Sequence, residues 1–120
     1  MNKRIVFLDT VHPILFERLN AEGMSCSWEL DMGRDSIMNG ALHDVHGIVL
    51  RSRLTLDFSL LDAMPQLKWI ARSGAGLENI DTESAQKRGI RVINSPEGNA
   101  ASVGEHVLGQ LLMLLHKLHT

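Results

Sequence analysis

Short apolar runs recur along this chain, and each is followed by residues at helical spacing. The runs are Arg4 to Leu8, Met24 to Leu30, Gly47 to Arg51, Leu67 to Ala71 and Ile90 to Ile93. None is long enough for a helix of typical length, and the clearest are apolar at successive positions rather than alternate ones. That is the mark of strands buried on both faces, which parallel sheets require. Between them lie helix signals. Pro13 suits a first helical turn, and Ile14, Leu15, Arg18 and Leu19 follow before Gly23 stops the helix. A polar helix spans about Arg34 to His43. Asp57 caps a short helix that Pro65 closes, and Asp81 caps Thr82 to Arg88, ended by Gly89. A last helix runs from about Ala100 to Leu118. Strand then helix, five times over, predicts an α/β fold: a flavodoxin-like open parallel sheet of five strands, order 2-1-3-4-5, with helices on both faces.

The chain has 120 residues, of which 44% are hydrophobic, so it can bury a real core as one domain. No apolar run reaches the roughly 18 residues that span a bilayer. The first nine residues lack the apolar core and cleavage site of a signal peptide. A lone cysteine, Cys26, forms no internal disulfide and reads as a packing residue. These features together predict a cytoplasmic protein with no membrane partner. Net charge is −2 with both signs interspersed, which argues against nucleic acid. The six histidines are scattered without ligand spacing, so no metal site is expected.

In open parallel sheets, ligands gather beyond the carboxyl ends of the strands. Those ends read Asp9-Thr10, Arg51-Ser52-Arg53, Ser73-Gly74-Ala75-Gly76 and Asn94 to Asn99. Arg51 and Arg53 offer forked donors for a carboxylate or phosphate, and alternation would point them the same way with Ser52 opposite. The bland reading is a pair of solvated strand-end charges. The turn at Gly74 to Gly76 offers bare backbone N–H groups to an anion. It begins like a dinucleotide fingerprint, but Asn79 stands where the third glycine belongs, and no acidic residue ends the next strand. A small-anion cradle or a plain β-turn fits better. Asn99 opens the last helix, as a cap or as a ligand contact. No nucleophile–base–orienter set is visible, so no catalytic residue is assigned.

The last helix carries Val107, Leu108, Leu111, Leu112, Met113, Leu114, Leu115 and Leu118 on more than one face. One apolar stripe would suffice for a surface helix. A further neighbour is therefore expected, either a second subunit or another domain of the same polypeptide.

Three stretches, Gly47 to Arg53, Arg72 to Asp81 and Asn94 to His106, resemble the D-isomer-specific 2-hydroxyacid dehydrogenases, and within them the D-3-phosphoglycerate dehydrogenase branch. The similarity spans residues 4 to 118. Gly104 and Glu78 depart from the usual Ala and Asp. The resemblance implies the first portion of a split substrate-binding domain, into which a separate nucleotide-binding domain with its own GxGxxG is inserted beyond this chain. It implies NAD as cofactor, bound mainly by that absent domain, and a small anionic 2-hydroxy or 2-oxo acid as substrate. Ala75 and Gly76 would give backbone N–H groups to the substrate carboxylate, with Ala75 also near the cofactor. Asn99 would sit at the substrate or nicotinamide. Arg51, Ser52 and Arg53 would approach the substrate's distal group. The family's catalytic Arg, Glu and His lie outside this sequence, so the chain alone should show no turnover. The competing reading is a stand-alone flavodoxin-like binding or signalling module. A phospho-receiver would need an acidic cluster after strand one and an Asp ending strand three, where this chain has Asp9 alone and Arg51.

Overall fold

The computed structural model describes residues 3–11, 13–73, 77–95, 109, 110 and 113. Its elements run β1 (Arg4–Phe7), α1 (Pro13–Ala21), β2 (Ser25–Trp28), α2 (Arg34–Met38), β3 (Val45–Leu50), α3 (Phe58–Asp62), β4 (Trp69–Ser73), α4 (Thr82–Lys87) and β5 (Arg91–Ser95). The strands form one sheet in the order β2-β1-β3-β4-β5, and each neighbouring pair is parallel. This is the flavodoxin-like order that the sequence predicts.

Alternation along the central strands feeds two cores. Val6, Leu8, Ile48, Leu50 and Ile70 face one side, where they meet Ile37, Leu60, Leu61 and Ala85 of α2, α3 and α4. Ile5, Phe7, Val49, Trp69, Ala71 and Ile93 face the other, with Leu15 and Leu19 of α1. An aromatic trio closes the second core. Phe16 stacks on Trp28 at 4.9 Å, and Phe7 meets both rings at 5.2 and 4.8 Å. The pairing of β1 with β3 skips a residue, because Arg4 aligns with Val45 but Ile5 aligns with Gly47. His46 is the extra residue. The slip reverses the alternation, so Val45 joins the core of Ile48 rather than that of Val49.

Helix boundaries follow from their stop signals. Gly23 and Gly89 terminate α1 and α4 at φ of 93° and 74°, as the sequence implies. The predicted helix from Arg34 to His43 is shorter in the structure because Gly40 does the same at φ 95°. There Ala41 N–H reaches back to Ser36 C=O and Gly40 N–H to Ile37 C=O. This left-handed closure ends α2 and converts the rest of the stretch into turns. Asp57 and Asp81 cap α3 and α4 as expected, accepting from the N–H groups of Leu60 and Ser84. β5 continues to Ser95, pairing with Ser73, where the sequence suggests a loop from Asn94. Of the predicted last helix, residues 109, 110 and 113 are described, and they are helical. The apolar surface assigned to residues 107–118 otherwise lies outside the described residues.

Gly47 faces Trp69 across the β3–β4 pair, and a Cβ at Gly47 would overlap the indole ring. The missing side chain is what lets a large ring lie flat across β3 in a fully buried position. Gly47→Ala is expected to destabilise the fold by about 1–3 kcal/mol. In a Trp69→Leu background the same change should cost much less, as read from urea-denaturation midpoints. Equal costs in both backgrounds would show that the ring does not set the requirement.

Candidate functional site

The strand order brings the carboxyl ends of β1, β3 and β4 side by side. The segment after β3, residues 51–57, lies between the other two ends and is held from both. From the β1 side, the Asp9 carboxylate accepts the N–H groups of Arg51 and Arg53. From the β4 side, Asn79 Nδ2 donates to the carbonyls of Arg51 and Leu54, at 2.8 and 2.9 Å. Asn79 Oδ1 accepts from Arg72 Nε at 2.7 Å. These partners fix the amide's orientation, since its nitrogen faces two carbonyls and its oxygen faces a guanidinium. Backbone bonds continue the tie. Leu56 N–H donates to Asn79 C=O at 2.7 Å, and Asp81 N–H to Leu56 C=O at 2.9 Å.

The two arginines of the Arg51-Ser52-Arg53 run part company. The Arg53 guanidinium lies along the sheet edge, still partly exposed. Its Nε donates to Leu8 C=O at 2.9 Å, Nη1 to Met32 C=O at 2.7 Å and Nη2 to Glu29 C=O at 3.4 Å. Its Nε also lies 3.7 Å from Asp9 Oδ1. The sequence expects Arg53 to project alongside Arg51. Strand alternation stops at Leu50, however, and the segment beyond it bends, so alternation sets no common direction for the two side chains. Arg51 is exposed. Its N–H and C=O are both engaged, and no partner of its guanidinium is found among the described residues. Ser52 is exposed beside it. Ala75, Gly76 and Asn99 lie outside the described residues.

Two aspartates flanking this edge are held below the usual carboxylate range. For Asp57 the main cause is the Leu60 N–H, followed by Arg34, whose Nη1 stands 2.9 Å away. For Asp81 it is the Ser84 N–H, then the Ser84 hydroxyl at 2.8 Å. Both shifts belong to helix caps, which removes these carboxylates as poised general acids. Among the described residues, no three His, Cys, Asp or Glu side chains converge as a metal site.

Sequence reasoning misses Asp9 and Asn79 as the organisers of this edge. Asp9 offers one signal: it is the only acid to follow a central strand directly. Asn79 offers another, since it occupies the place where a phosphate-binding turn would need glycine. The structure supplies its reason, which is to bridge the loops after β3 and β4.

The profile of the D-isomer specific 2-hydroxyacid dehydrogenase catalytic domain matches residues 5–109. The chain belongs to this family. Its curated relatives put it in the D-3-phosphoglycerate dehydrogenase branch. The enzyme of that name from Mycobacterium bovis is 39% identical over 85 residues, which are 71% of this chain and 16% of that one. Its counterpart from Sus scrofa is 27% identical over 116 residues, covering 97% and 22%. Among solved structures, a protein from Pyrococcus horikoshii superposes at a TM-score of 0.71 with 25% identity, over 79% of this chain and 28% of that one. The NAD+-bound 3-phosphoglycerate dehydrogenase of Entamoeba histolytica shares the fold at a TM-score of 0.69 with 24% identity, over 80% and 33%. The chain thus spans 16–22% of the length of these curated relatives.

Two measurements probe the site's framework. Asn79→Ala leaves two loop carbonyls and Arg72 Nε without their partner. It is expected to cost about 1–3 kcal/mol and to speed amide exchange in residues 51–57. Asn79→Asp keeps an oxygen for Arg72 but loses both donors, so it should not restore the loop. An unchanged exchange pattern in Asn79→Ala would remove the bridging role. Cys26, on β2, gives a pH test. Burial pushes its thiol from an ordinary 9.0 up to about 11. Between those values the folded chain holds a proton that the unfolded chain has released. Stability should therefore fall as pH rises through that window, and Cys26→Ser should flatten the decline. At neutral pH the thiol should alkylate slowly, as a packing residue would.

Proposed function

We propose that this chain is the substrate-binding portion of an NAD-dependent oxidoreductase that moves a hydride between nicotinamide and C2 of a D-2-hydroxy acid, with 3-phosphoglycerate as the substrate. Family membership supports the reaction class. The observation that carries the substrate assignment is the guanidinium of Arg51, exposed and without a partner among the described residues, on a peptide pinned by Asp9 and Asn79 at the carboxyl edge of the sheet. A guanidinium carried on such a fixed peptide recognises a phosphate by charge and by fork geometry.

In this reading Arg51 and Ser52 meet the distal phosphate. The N–H groups of Ala75 and Gly76 bind the substrate carboxylate, and Asn99 sits at the substrate or nicotinamide. Arg53 enters through its hold on the edge rather than through the phosphate. Bound NAD supplies the hydride acceptor and donor. Asn79 stands where a dinucleotide fingerprint needs glycine, and its amide is engaged by the chain's own groups, so Asn79 does not serve a pyrophosphate. The cofactor's main site belongs to a separate nucleotide-binding domain, as do the proton-transferring and carbonyl-polarising groups. The chain's own contribution is to bind and orient the acid and to wall one side of the cleft. The apolar helix at residues 107–118 packs against that further domain or a second subunit, in a cytoplasmic enzyme.

The test is titration of the chain with D-3-phosphoglycerate and with D-glycerate, followed by backbone and arginine side-chain NMR. Phosphoglycerate should shift residues 51–53 and 74–76, D-glycerate should bind about tenfold more weakly or worse, and Arg51→Gln should erase the difference. With NAD added, the chain alone should form no NADH. Equal response to both acids, or phosphoglycerate binding that survives Arg51→Gln, would overturn the substrate assignment. NADH production would overturn the division of labour.

A further inference from the structure

We propose that Arg53 is a positioning residue, not a ligand contact: with Asp9 and Asn79 it forms a three-point clamp that fixes the backbone from which Arg51 projects. The aim of Arg51 toward an anion rests on the function proposed above, but the clamp itself does not. Three side chains from three different strand ends converge on one short segment. Asp9, after β1, takes the two N–H groups that flank Ser52. Asn79, after β4, takes the carbonyls of Arg51 and Leu54. Arg53 anchors the segment's middle by donating to carbonyls at the ends of β1 and β2 and to Met32 in the following turn. A loop with its peptide groups tied from both flanks and its centre cannot pivot about one bond. The side chain left over at that loop, Arg51, inherits a fixed origin.

The chemistry separates the two arginines. An anion that takes Arg51 breaks no bond among the described residues. An anion that takes the whole Arg53 fork must pull its guanidinium off three carbonyls, leaving three acceptors without their donor and Asp9 without its nearby cation. The planar fork is what allows one side chain to reach carbonyls from two strand ends at once. A lysine has the charge but not the fork, so charge and geometry can be tested apart. Asn79 gives an independent handle, because it holds the same segment with no charge at all.

Arginine side-chain NMR on the chain provides the experiment. In the free chain, Arg53 Nε–H should exchange with water about tenfold or more slowly than Arg51 Nε–H, because it is held by Leu8. Arg53→Lys and Arg53→Met should both raise amide exchange across residues 51–57 while leaving the Trp69 indole signal in place. Asn79→Ala should raise exchange over the same residues. On adding D-3-phosphoglycerate, Arg51 Nε should shift and Arg53 Nε should not, and Arg53→Lys should lose affinity about as much as Arg53→Met. Fast exchange at Arg53 Nε in the free chain would overturn the clamp, whether or not any anion binds. Retained affinity in Arg53→Lys, or a shift at Arg53 larger than at Arg51, would make it a ligand contact instead. Failure of phosphoglycerate to bind, with Arg53 Nε still protected, would refute the substrate assignment and leave the clamp standing.

Discussion

Every strand of a parallel sheet delivers its last carbonyl to the same edge. Helices cover the two faces of such a sheet, but nothing in the ladder completes that rim, so its polar groups need partners from elsewhere. In this chain three side chains supply them. Arg53 collects carbonyls at the ends of β1 and β2, Asp9 receives amides after β3, and Asn79 joins the loop after β3 to the loop after β4. Structural completion therefore occupies side chains that the sequence alone would offer to a ligand. The two arginines divide the work: Arg53 gives three N–H groups to the chain's own carbonyls, and the Arg51 guanidinium has no partner among the described residues.

Much of the fold is legible without coordinates because it rests on local signals. Apolar runs too short for helices, glycines at helix ends and aspartates at helix starts each act within a few residues, and all five strands and both caps follow from them. The errors have the same origin. Gly40 carries the same signal as Gly23, yet the apolar residues beyond it prolong the apparent helix. The bulge at His46 has no local mark, since it arises from pairing with β1. The fate of Arg53 was out of reach for a stronger reason. Its partners Leu8, Glu29 and Met32 lie 21 to 45 residues away in sequence, and only the assembled sheet edge brings them together. Alternation is a property of a strand and does not extrapolate past Leu50.

The site is half legible in the same sense. That polar residues would gather at the carboxyl edge follows from the topology alone, and Arg51, Ser52 and Arg53 are found there. Which of them faces outward does not follow. Asn79 is instructive, because its departure from a glycine fingerprint was plain in the sequence and its purpose was not. A side chain that bridges two loops leaves no pattern within either loop. Membership of the dehydrogenase family gives the edge a chemical context, and the amide of Asn79 is engaged by Arg72, Arg51 and Leu54.

The sheet's flank at β2 has a separate consequence. β2 is four residues long and reads Ser25-Cys26-Ser27-Trp28, with Ser25 exposed and Trp28 drawn back onto Phe7 and Phe16. A short lateral strand that gathers its one large ring inward offers little for a foreign strand to extend. Unwanted polymerisation along that margin is thereby discouraged by geometry, without any charged gatekeeper in the strand itself.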